Sequence, residues 1–164
     1  MVAVVLLRPP LARAAELTWT VGAGFRAAEL PVPSEGHTGF TLQNPSATGV
    51  IFTNSLADER YLTNQIYLNG SGVAAGDIDG DGRVDLYFCS LAGANKLYRN
   101  LGGWKFEDIT ESAGVGCSNL VCSGAAFADV DGDGHLDLIV NTVGGGTHIF
   151  LTTGRAISRR RRRS

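Results

Sequence analysis

The chain has 164 residues, 22 of them glycine, with 18% charged side chains and a formal net charge of −2. The length allows one domain, and many glycines with few charges fit a loop-rich β protein; no long helical periodicity appears. Six of the 14 basic residues lie in 155–163, so residues 1–154 carry 8 basic against 16 acidic groups, a balance that argues against nucleic acid as a partner.

From the N-terminus, Val2-Ala3-Val4-Val5-Leu6-Leu7 is a short apolar run, and Ala12-Arg13-Ala14 resembles a signal cleavage site, although no positive charge precedes the run. Six apolar residues are too few to span a bilayer, so no transmembrane segment is expected. Residues 1–14 are read as a signal-peptide remnant, and 15–71 as an N-terminal segment that is partly β. Asn69-Gly70-Ser71 is formally a glycosylation sequon but reads as turn chemistry at an N-G pair.

Val73-Ala74-Ala75-Gly76 then leads into Asp77-Ile78-Asp79-Gly80-Asp81-Gly82-Arg83-Val84-Asp85. Fifty-two positions later Asp129-Val130-Asp131-Gly132-Asp133-Gly134-His135-Leu136-Asp137 repeats the pattern. Each copy has carboxylates at loop positions 1, 3, 5 and 9 and glycines at 4 and 6. Four oxygen donors on so short a turn suit a hard cation that takes six to eight oxygens. Without a cation they repel one another at close range. The first six positions match the opening of an EF-hand loop. Position 12, however, holds Phe88 or Val140 where an EF-hand needs a bidentate Glu. The flanks, Leu86-Tyr87-Phe88-Cys89 and Leu138-Ile139-Val140 among them, read as short buried strands. Each loop is therefore expected at a β-hairpin tip, holding calcium, two sites in all. The expected ligands are the carboxylates of Asp77, Asp79, Asp81 and Asp85 with the backbone carbonyl of Arg83, and those of Asp129, Asp131, Asp133 and Asp137 with the carbonyl of His135.

The 52-residue offset extends beyond the loops, placing residues 93–100 opposite 145–152, a polar-apolar strand after a glycine turn. The first unit continues through Gly102-Gly103-Trp104-Lys105-Phe106-Glu107-Asp108, a further turn and strand. A period near 50 with four short strands is the size of a propeller blade. The first repeat is placed at 72–123 and a second, incomplete one at 124–154. Beyond Thr153 the correspondence stops, and 155–164, with Arg159 to Arg163, is read as a basic disordered tail at the end of a fragment.

Cys117 and Cys122 lie in the loop between repeats, where a disulfide is the expectation for an exported protein; Cys89 reads as a buried free thiol. Three histidines, His37, His135 and His148, accompany no G-x-S-x-G elbow, P-loop, H-E-x-x-H or Rossmann fingerprint. No catalytic residue is assigned.

The string G-V-A-A-G-D-I-D-G-D-G-R-V-D-L, followed by N-K-L-Y-R-N-L-G-G-W-K-F-E-D-I-T, resembles the FG-GAP (VCBS) repeat of integrin α-like β-propellers. The wider context, Thr38-Gly39-Phe40-Thr41-Leu42, Asn64-Gln65-Ile66 and Leu68-Asn69-Gly70-Ser71-Gly72, is similar to the cartilage-acidic-protein and ASPIC/UnbV group. The resemblance implies an all-β fold, a partial β-propeller of four-stranded blades with calcium-binding hairpin loops. It also implies export (secreted, periplasmic or at the cell surface) and a non-catalytic module for adhesion or for binding protein or carbohydrate. The alternative is a fragment of a propeller enzyme, hydrolase or lyase, whose catalytic residues lie in other blades.

Overall fold

The computed structural model describes residues 17–29, 40–56, 58–154 and 157–158 and divides into two compact units, 1–41 and 42–164. The expected signal remnant at 1–14, His37 and the arginine run lie outside the described residues. In the first unit β1 (Trp19–Gly22) pairs antiparallel with β2 (Phe25–Ala28), and the Arg26 guanidinium sits 4.7 Å above the Trp19 ring.

The second unit opens with short turns of helix, α1 (Pro45–Thr48), α2 (Asp58–Thr63) and a 3-10 turn (Gln65–Asn69). Asn44 starts α1 by accepting from the Ser46 N–H at 3.0 Å, and Pro45 occupies the first turn, where its missing N–H is harmless. Asn64 caps the 3-10 turn in the same way, and Asn69-Gly70-Ser71 forms its exit.

Two antiparallel sheets follow, each with its strands in sequence order. The first contains β3 (Val73–Gly76), β4 (Asp85–Phe88), β5 (Lys96–Gly102) and β6 (Lys105–Asp108). After α3 (Thr110–Ala113), the second contains β7 (Cys122–Ala128), β8 (Asp137–Thr142), β9 (Gly146–Thr152) and β10 (Ile157–Ser158). The fold is all-β, a partial β-propeller of two four-stranded blades. Gly76 opposes Asp85 and Ala128 opposes Asp137, so both acidic loops are hairpin tips. One expectation is corrected. Ile157–Ser158 falls in the stretch read as a disordered tail, yet it pairs with Leu151 and Thr152, satisfying backbone groups that would otherwise form an open sheet edge.

Alternate residues point into the space between the blades. β4 buries Asp85 and Tyr87 there, and β9 buries His148, Phe150 and Thr152. The core joins Ala74, Ile78, Tyr87, Leu97 and Val115 to Leu138, Val140 and Phe150. The other face of the first blade is covered by the segment after α1. Phe52 stacks on Phe88 with centroids 5.1 Å apart, and the Tyr98 hydroxyl donates to the Ile51 carbonyl at 2.5 Å while accepting from its N–H at 3.1 Å.

Beside this shared core, main-chain hydrogen bonds tie the two blades together. The Gly72 N–H donates to the Ser123 carbonyl and the Cys122 N–H to the Ser90 carbonyl, both at 3.0 Å. Gly72 and Gly124 occupy the same place in the 52-residue repeat, and a Cβ added at Gly72 would stand 2.9 Å from the Gly124 Cα. Gly72→Ala is therefore expected to destabilise the chain by about 1–3 kcal/mol, the cost of overfilling a packed site. Gly124→Ala meets nothing within 4 Å and should be tolerated. Denaturant midpoints for both variants test this, and equal midpoints would discount the close approach.

Candidate functional site

Each hairpin tip is built around its position-1 aspartate. In the first loop one Asp77 oxygen accepts from the N–H groups of Gly80 and Asp81, at 2.8 and 3.0 Å, and the other accepts from Gly82 at 2.8 Å. In the second, Asp129 accepts from Gly132 at 2.7 Å and from Gly134 at 3.0 Å. Aiming the position-6 amide back at position 1 requires left-handed backbone, with φ of 84° at Gly82 and 89° at Gly134, where a side chain would be strained.

The position-9 aspartates do something different. Asp85 and Asp137 are fully buried. One Asp85 oxygen accepts from the Ile78 N–H at 3.0 Å and the other from the Asn100 N–H at 2.8 Å. Asp137 repeats this with Val130 at 3.0 Å and Thr152 at 2.8 Å. Each therefore ties the entering limb of its loop to the third strand of the blade. Burial pushes the Asp85 carboxyl above the usual carboxylate range; the two amides oppose this, and the nearby charges of Asp79 and Asp81 add to it.

Asp77, Asp79 and Asp85 each place a carboxylate oxygen within 4.8 Å of the other two, and so do Asp129, Asp131 and Asp137. That bound is about twice a calcium–oxygen bond, the largest separation two oxygens on one ion can have. The position-5 residues stand outside both clusters. Asp81 accepts from the Arg83 N–H at 2.9 Å and pairs with the Arg83 guanidinium, whose Nε also donates to the Asn100 carbonyl at 2.8 Å. Asp133 accepts from the His135 N–H at 2.9 Å and makes no ion pair among the described residues. The His135 ring packs against Gly154. Of the ten expected ligands, the structure thus gathers six carboxylates into two triads and turns two toward their own loop backbone; the remaining two, Arg83 and His135, enter through main-chain carbonyls in the expected scheme.

Sequence reasoning missed Asn100 and Thr152, which hold the buried aspartates. The offset that aligns 93–100 with 145–152 contained the signal, since both lie 15 residues after their aspartate. Cys117 and Cys122 are separate thiols, hydrogen-bonded to one another, and Cys89 is fully buried just past β4.

Residues 77–140 match the family of FG-GAP-like repeats. Over 103 residues the chain is 32% identical to Cartilage acidic protein 1 of Xenopus tropicalis, covering 63% of this chain and 16% of that protein. The Homo sapiens and Mus musculus proteins of the same name are each 29% identical over 103 residues, and the chain spans 15% and 16% of their lengths. No helix among the described residues is long and apolar enough to cross a membrane.

Proposed function

Taking as premise that the chain carries an FG-GAP-like repeat across residues 77–140, we propose that its two hairpin tips are calcium sites that stiffen a non-catalytic interaction module working outside the cytoplasm. The observation that supports this reading best is the pair of aspartate triads, alike in position and geometry, with their oxygens spaced for a single ion. In the first site Asp77, Asp79 and Asp85 supply carboxylates, Asp81 joins by turning from its own loop, and Arg83 lends its carbonyl. In the second, Asp129, Asp131, Asp133, Asp137 and His135 take the same parts. The sites are unequal: the Arg83 guanidinium competes with the ion for Asp81, whereas Asp133 has no such rival among the described residues.

The chemistry calcium supplies is charge neutralisation and cross-linking of the loop. Each triad brings three carboxylates together, and the ion removes their mutual repulsion. Bound there, it fixes the loop surface that meets a partner, which we take to be protein or carbohydrate and not nucleic acid. Trp104, 68% exposed at the turn between β5 and β6, lines a shallow groove with Arg83, Val84 and Phe106 and offers an aromatic contact beside the first tip.

Calorimetric titration of the full chain with calcium is expected to show two sites, with dissociation constants of roughly 10⁻⁴–10⁻³ M as in extracellular modules. Asp79→Ala and Asp131→Ala should each abolish one site and spare the other. Wild-type stoichiometry in both variants would overturn the assignment.

A further inference from the structure

Between α3 and β7 the chain crosses from one blade to the next, and this crossing holds chemistry that the cation loops do not use. Cys117 is half-buried in left-handed backbone, φ 48°, and closes a turn in which its carbonyl accepts from the Leu120 N–H at 2.9 Å. Cys122 begins β7 and is fully buried in the core. The two thiols hydrogen-bond to each other. Cys117 also lines a cavity of roughly 200 Å³ together with Ser118, Asn119, Leu120, Phe150 and His148. His148 is 6% exposed, and its Nε2 has no hydrogen-bond partner among the described residues. An unpartnered imidazole nitrogen in a buried wall is uncommon and calls for an explanation. Around this point lie one partly accessible thiol, a second thiol in contact behind it, and a proton acceptor in the same cavity.

We propose that Cys117 and Cys122 form a thiol–disulfide exchange site, with Cys117 as the entry thiol, Cys122 as the resolving thiol and small disulfides as the oxidant. His148 takes the Cys117 proton, and the Cys117 thiolate attacks one sulfur of the incoming disulfide. One thiolate leaves, taking up that proton, and a mixed disulfide remains on Cys117. Cys122 then attacks the Cys117 sulfur and expels the second thiolate, which takes the Cys122 proton. In balance, two protein thiols and one small disulfide become one protein disulfide and two small thiols, with two electrons passing to the oxidant. The new bond closes the turn joining the blades and persists where the surroundings are oxidising. Cys89 stays out of the exchange: it is fully buried, and it is Cys122 that hydrogen-bonds to Cys117.

The probe is oxidised glutathione added to the folded full chain, followed by peptide mass spectrometry without reduction. The expected product links the peptides of Cys117 and Cys122 and leaves Cys89 free. Cys122→Ser should instead retain glutathione on Cys117, and His148→Gln should slow adduct formation about a hundredfold, the low end of what a positioned proton acceptor contributes. No reaction at Cys117 of the folded chain, or a lasting glutathione adduct on wild-type Cys117, overturns the proposal. A wild-type rate in His148→Gln removes the histidine from it. These readouts do not involve calcium, so they stand apart from the cation reading.

Discussion

Asp85→Ala lowers the stability of the calcium-free chain, and added calcium does not restore it. The substitution removes the acceptor of two N–H groups, that of Ile78, buried, and that of Asn100, part-buried. A buried donor left unsatisfied costs about 1–3 kcal/mol, and releasing the buried charge of Asp85 returns part of that, so a net loss of about 3 kcal/mol is expected. Asp137→Ala should behave alike in the second blade, through Val130 and Thr152. Asp79→Ala differs in kind: its side chain is only half-buried and holds the single amide of Asp81 at 3.3 Å, so its loss should be felt chiefly in cation binding. Denaturant unfolding in EDTA separates the two cases. Stability within about 0.5 kcal/mol of wild type for Asp85→Ala, the range of ordinary surface substitutions, would reduce Asp85 to a ligand alone.

Asn95→Leu produces a comparable loss by another route. Asn95 is fully buried, and its side-chain oxygen accepts from the Ser90 N–H at 2.7 Å while its amide donates to the Tyr87 hydroxyl at 2.7 Å. That hydroxyl donates in turn to the Val115 carbonyl at 2.7 Å, and burial raises the Tyr87 phenol well above its usual range, so it remains a donor. Leucine matches the size but strands the Ser90 amide and the Tyr87 oxygen, for a cost of about 2–4 kcal/mol. The heat of calcium binding should be unchanged, because the network does not include the hairpin tips. A fall in stability below about 0.5 kcal/mol would mean that water replaces the asparagine.

The blades and the hairpin tips were legible because they occur twice. One D-G turn is common chemistry, but two loops in register, each followed by a short apolar strand, leave few folds to consider. The division of labour inside a loop was not legible. Positions 1, 3, 5 and 9 are all aspartate, and spacing cannot tell a carboxylate that joins a triad from one that stands outside it on its own loop amide, as Asp81 and Asp133 do. Asn95 follows Gly93-Ala94 and reads as an ordinary turn residue, whereas long-range packing made it the centre of a buried network. The cover over the first blade was equally hidden, because Phe52 and Ile51 lie in a stretch with neither strand alternation nor helical period.

The joint between the blades has a consequence for how such a chain grows over evolutionary time. It consists of main-chain bonds between Gly72 and Ser123 and between Cys122 and Ser90, with repeat-equivalent glycines in contact. These main-chain bonds require no particular side chain on either blade. A tandem duplication of the unit therefore carries a working hinge-line with it from the first generation, before any compensating substitution. Divergence can then act on the outward residues of each copy, while the close approach leaves no room for a side chain at Gly72.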